Sequence, residues 1–161
     1  MYLLDANVFI EAARRYYAFD LAPKFWESLA LHAEKGEIQS IDRVKQELER
    51  GNDELATWAT AQFSEAFAST DEEDVTVSYS EIISWVQIQD QFSDAAKADF
   101  ASGADGWLVA YAKSKGFIVV THEVLDPNIM RKVPIPNVCE EFGMSYVDTF
   151  EMLRQIGVRF S

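Results

Sequence analysis

Four carboxylates stand where a strand end or a helix would aim them into one space. Asp5 directly follows Tyr2-Leu3-Leu4, a short continuous apolar run of the kind that forms a buried parallel strand. Glu123 comes just after Phe117-Ile118-Val119-Val120, the most strand-like stretch of the chain, with Thr121 and His122 between. Asp105 opens a helix running to about Ser114, where an acid is already favourable by about 0.3–1 kcal/mol. Glu47 lies on a helix from Asp42 to about Arg50. With Ile41, Val44 and Leu48 as its apolar stripe, Glu47 and Glu49 flank opposite sides almost equally, and the helical wheel does not choose between them. Carboxylates that share a crevice repel one another unless a proton, a basic residue or a divalent cation sits among them. An all-oxygen set suits Mg²⁺ or Mn²⁺ better than zinc, and such sites carry out phosphoryl chemistry.

The elements that must position these groups alternate. After the first strand a helix is predicted over Val8 to about Tyr17, then another from about Ala22 to Ala33, stopped near Gly36. Glu37–Ile41 reads as a strand, and Asp42 as the cap of the next helix, which Gly51 ends. Asp53–Gln91 reads as two helices joined by the acidic run Ser69–Asp74, itself a solvated turn. Short and longer helices follow over Asp94–Phe100 and Ala104–Ser114. Three prolines make Asp126–Asn137 a predicted loop. Ser145–Val147 is a last short strand, and Asp148 or Thr149 caps a C-terminal helix through about Gln155. Strands separated by helices imply a mainly parallel central sheet between two helical layers, with the reactive crevice at the carboxyl ends of the strands.

The 161 residues, 48% hydrophobic with seven Gly and four Pro, exclude a disordered or low-complexity chain and are expected to form a single domain. The lone Cys139 cannot make an internal disulfide, and neither a leader nor an apolar run of spanning length is seen, so a soluble cytoplasmic protein is expected, with no membrane partner. A net charge of −13 argues against bulk attraction to nucleic acid. The excess is local: residues 53 to 105 hold twelve acids against Lys97 alone, leaving −2 for the rest of the chain.

Taken together, the residues resemble PIN-domain ribonucleases of the VapC-like toxin type over most of the chain. The matching pieces are Tyr2-Leu3-Leu4-Asp5-Ala6-Asn7, Ser40 with Val44 and Glu47-Leu48, Ala104 through Ala112, and Val119-Val120-Thr121-His122-Glu123. The tail Ile135–Glu140 resembles a poorly characterised branch of that family. The resemblance implies a PIN-like fold over residues 1–161, from which the acidic helical middle segment, about 53–100, departs in being longer and more acidic than a compact PIN toxin is expected to carry. It places the family's acidic quartet on Asp5, Glu47, Asp105 and Glu123 as catalytic and metal-holding residues, with Asn7 and Thr121 in support. It further implies a Mg²⁺- or Mn²⁺-dependent endoribonuclease, an RNA substrate, a cognate antitoxin and a homodimer. Glu123 stands where many relatives have Asp, and Asp126 is the nearest substitute. Arg14 and Arg15 on the first helix, with Arg131 and Lys132 beyond Glu123, are the candidates for holding RNA phosphates.

Plainer roles compete at each position. Asp5 or Asn7 can cap the first helix, and Glu47 can be an ordinary solvated glutamate. His122 reads as a satisfied histidine, and Trp58, Trp85, Phe63 and Phe67 read as core. Among other functions, a haloacid-dehalogenase-like phosphatase needs an acid two residues after the first Asp, where this chain has Asn7. A receiver domain needs an adjacent acidic pair near the first strand together with a late Lys, a combination this chain does not convincingly offer, and a dinucleotide enzyme needs a Gly-rich turn, which follows no strand here. A degenerate PIN scaffold that binds RNA or protein without cutting is the non-enzyme alternative.

Overall fold

The protein is described by a computed structural model over residues 1–160. Its strands are β1 (Tyr2–Leu4), β2 (Ile38–Ile41), β3 (Phe67–Ala68), β4 (Ile118–Val120) and β5 (Tyr146–Val147). They lie in the order β3-β2-β1-β4-β5, with every pair parallel. The helices are α1 (Ala6–Glu11), α2 (Pro23–Glu34), α3 (Asp42–Glu49), α4 (Glu54–Gln62), α5 (Glu73–Gln87), α6 (Asp94–Ser102), α7 (Ala104–Lys115), α8 (Ile135–Glu141) and α9 (Thr149–Gln155). This is the expected three-layer α/β/α arrangement. Strand order reverses between β1 and β4, which makes the space beyond their carboxyl ends the natural crevice.

Short strands hold because they are apolar on both faces. Leu3, Leu4, Ile41, Val119 and Val120 are fully buried, each worth on the order of 1.5–3 kcal/mol in area removed from water. Beside them Phe9 meets Trp58, Phe63 and Phe67 at ring-centroid distances of 6.1, 5.4 and 6.1 Å, which fixes α4 and β3 to the sheet. These aromatics are core, and Trp85 packs against Phe92 and Phe142. Gly116 ends α7 at φ +74°, the left-handed value that a residue with a Cβ adopts at a cost. Cys139 is buried, and burial pushes its thiol up to about 12, so it is no nucleophile at neutral pH. Among the described residues no helix is long and apolar enough to cross a membrane.

The structure departs from the sequence reading in five places. The first helix stops at Glu11 and continues as a π-helical turn over Ala12–Tyr16, closed by the Tyr17 amide on the Ala12 carbonyl at 2.8 Å. Asp42 does not cap α3 but is its first residue. Its carboxylate instead takes the Thr70 amide at 3.0 Å and the Thr70 hydroxyl at 2.9 Å. The middle segment is not purely helical, since β3 pairs with β2 through Ser40 and Phe67. The acidic run is more than a solvated turn: Glu72 and Asp74 each lie 3.2 Å from Lys115, joining the start of α5 to the end of α7. Finally, Ile135–Asn137 is helical. Pro134 stands at the N-cap of α8 and Pro136 falls in its first turn, where a missing N–H costs nothing.

Candidate active site

Register brings the first pair together. Leu4 lies opposite Val120, so the residues that follow, Asp5 and Thr121, emerge side by side. The Asp5 amide donates to the Val120 carbonyl at 3.0 Å, and the Thr121 hydroxyl donates to Asp5 Oδ2 at the same distance. Ser40, buried on β2, donates to the Leu4 carbonyl at 2.7 Å and fixes the end of β1 from the other side. Asp5 is 2% exposed. An ionised carboxylate there lacks water, and burial raises its pKa well above the usual range. The charges of Asp105, Glu123 and Glu47 push the same way, and only the Thr121 hydrogen bond opposes them.

Asp105 reaches this space from the first turn of α7. Burial first, then the charges of Glu123 and Glu47, lift its pKa to about 6 against the pull of Lys132. Gly106 makes the close approach possible: a Cβ there would meet the Phe100 carbonyl and the Tyr79 ring, each at 3.1 Å. Glu47 is exposed on α3, yet its charge acts on both Asp5 and Asp105. Glu49 turns instead toward Lys45, at 3.8 Å. Side-chain placement thus separates two glutamates that the helical wheel leaves equivalent.

Glu123 is held differently. Its Oε1 accepts from the Ile135 amide at 2.8 Å and its Oε2 from Lys132 Nζ at 3.0 Å, while its own amide donates to Thr121 Oγ1 at 3.1 Å. Asp126 is exposed and closes a local turn with Asn128 and Asn137; it is not among the charges that act on Asp5. Lys132 and Arg131 line one cleft with Asp105, Phe100 and Val133, about 400 Å³ in volume. Arg14 and Arg15 are exposed on the π turn, with Arg15 3.2 Å from Glu11. Asn7 is exposed in the first turn of α1. His122 Nε2 lies 2.9 Å from the Thr149 hydroxyl and packs with Tyr16 and Phe150, the satisfied state that the sequence suggests.

Two features lay beyond sequence reasoning. One is the direct contact of Lys132 with Glu123, which depends on the path of the loop between β4 and α8. The other is Arg43, whose guanidinium lies 4.3 Å from the Trp107 ring centroid, while Tyr79 stacks on Trp107 at 3.8 Å. No local signal in the sequence marks either contact.

A divalent cation fits the chemistry of this donor set. The candidate donors are oxygens, Asp5 is buried and Asp105 half-buried, and burial, with repulsion between the carboxylates added to it, raises both pKa values, a cost that a cation relieves. Among the described residues no three carboxylate, His or Cys groups already stand as a closed cage, so side chains would have to draw in around the ion.

The family described as a domain of unknown function, DUF4411, matches residues 2–160. No curated protein matches. Two solved structures are similar over 91% of this chain. A chain of VapBC2 from Rickettsia felis, bound to a DNA fragment from their promoter, is covered over 97% of its length at 14% identity and a TM-score of 0.54. A chain of FitAcB from Neisseria gonorrhoeae is covered over 96% at 20% identity and a TM-score of 0.50. At such identities the likeness is one of fold, and it is the VapC-type fold expected from the sequence.

Proposed function

The chain belongs to the DUF4411 family, and from that premise and its PIN-type fold we propose that it is a Mg²⁺- or Mn²⁺-dependent endoribonuclease, the toxin of a toxin–antitoxin pair. The observation that carries the reading is a buried Asp5 and a half-buried Asp105 whose charges act on each other. Two carboxylates are kept at the switch point of the sheet at an electrostatic cost that serves no packing purpose.

In this reading Asp5 and Asp105 hold the metal, and Thr121 fixes the Asp5 carboxylate for that task. Glu47, on the solvent side of the pair, is a further ligand or orients the attacking water. Glu123 stands as an outer member of the set. A bound divalent ion supplies an activated water and stabilises charge on the phosphate. Asn7 supports the metal-side carboxylates, and Arg131, Lys132, Arg14 and Arg15 hold RNA phosphates around the crevice. The solved relatives are described as VapBC2 and FitAcB, which supports an antitoxin partner for this chain. A homodimer, a single domain over the whole chain and a cytoplasmic location belong to the same proposal.

A second reading, a scaffold that binds RNA without cutting, is favoured by one observation: both Glu123 oxygens are engaged within the protein. Incubating a mixed structured-RNA pool with the protein in Mg²⁺ or Mn²⁺, beside an EDTA control, separates the two. Discrete cuts lost in EDTA support the nuclease. RNA retention without cuts supports the scaffold.

A further inference from the structure

The loop from Thr121 to Pro134 returns a cation to the acidic crevice. Lys132 Nζ is 3.0 Å from Glu123 Oε2, and the other Glu123 oxygen is held by the Ile135 amide, so this carboxylate has a defined direction. The Glu123 side chain is 11% exposed and that of Lys132 is 49% exposed, which puts the ammonium at the mouth of the crevice with the carboxylate behind it. Lys132 also lines the cleft that contains Asp105. We propose that Lys132 is the site's built-in second cation: paired with Glu123, it takes the place that a second divalent ion would fill. The protein then holds one metal, on Asp5 and Asp105, and Lys132 contacts the phosphate being cut.

The chemistry follows from charge and shape. Four ionised carboxylates facing one divalent ion alone would leave the crevice at −2; the Lys132 ammonium brings it to −1 and gives an incoming phosphodiester a cation to meet. A second divalent ion on Glu123 would have to displace Lys132 or stand against it, and repulsion between like charges at contact distance in a partly buried site is large. Lysine suits the role because its ammonium is a compact point charge on a flexible stem, able to stay paired with Glu123 while meeting a phosphate oxygen. Burial works against the charged form of Lys132, but the hydrogen bond and charge of Glu123, with Asp105 and Asp5 beyond, raise its pKa.

This inference rests on the crevice being a metal site, and Mn²⁺ binding to the full chain tests the two separately. Mn²⁺ bound per chain is measured by electron paramagnetic resonance for wild type, Lys132→Arg and Lys132→Met, with circular dichroism to verify folding. Wild type and Lys132→Arg are expected to bind one Mn²⁺, and Lys132→Met two, because Glu123 Oε2 is released. Lys132→Met is also expected to cut RNA roughly a hundredfold more slowly at low Mn²⁺ and to recover as Mn²⁺ rises. Two Mn²⁺ in wild type, or one in Lys132→Met, would overturn the assignment while leaving the metal site standing. No Mn²⁺ on wild type would overturn the metal site itself.

Discussion

Thr121 joins three parts of the candidate site through one hydroxyl, which donates to Asp5 Oδ2 and accepts from the Glu123 amide. Thr121→Val keeps the shape and removes both bonds. A loss of about 1–3 kcal/mol is expected in urea denaturation, with Thr121→Ser recovering most of it. Asp105 makes a prediction about pH. Its native pKa is raised to about 6 from 3.8, so between those values the unfolded chain releases a proton that the native state keeps. Metal-free stability therefore falls as pH rises through that window, by about 2–3 kcal/mol in all. Asp105→Asn removes that cost. In EDTA it is expected to melt above wild type at pH 8, with the difference closing near pH 4. An equal or lower melting point at pH 8 would mean that Asp105 carries no such burden. At this scale Asp5, Asp105 and Glu123 are legible in the sequence as candidates, because each follows a strand or opens a helix. The sequence leaves Glu47 and Glu49 unresolved because both flank one apolar stripe, and side-chain placement separates them.

Helix α7 carries Asp105 toward the crevice, and Gly106 lets it pack against Phe100 and Tyr79. Gly106→Val is expected to cost about 1–3 kcal/mol by overpacking and to slow RNA cleavage as Asp105 is displaced. Unchanged stability and activity would show that α7 has room to move. The elements divide by how local their causes are. Strands β1 and β4 are legible because continuous apolar runs make them, and α9 because Asp148 accepts from the Glu151 amide at 2.8 Å as an N-cap. Strand β3 is only two residues long and exists because β2 offers an edge beside the Phe9 aromatic cluster, a tertiary cause that no window of sequence contains. Helix α8 was hidden by prolines that break a helix interior but suit its first turn.

Across the whole molecule, a net charge of −13 means that any RNA binding depends on a few local cations rather than on the overall field. If Arg131 contacts phosphate, Arg131→Ala is expected to flatten the slope of log binding constant against log salt by about 0.7. An unchanged slope would remove Arg131 from the RNA surface. The acidity of the middle segment is partly internal, with Lys113 on Glu81 and Lys115 on Glu72 and Asp74, so α5 is fastened to α7 by charge as well as by apolar contact. The same packing holds the helix that delivers Asp105 to the ends of β1 and β4, which links the bulk of the fold to the crevice. The central claim is that this crevice cuts RNA through carboxylates that hold a metal. The most direct test compares RNA cleavage by wild type and Asp105→Asn in Mg²⁺ or Mn²⁺, with folding checked by melting. A loss of roughly a hundredfold or more in the folded variant is expected. Cleavage at the wild-type rate would contradict the claim.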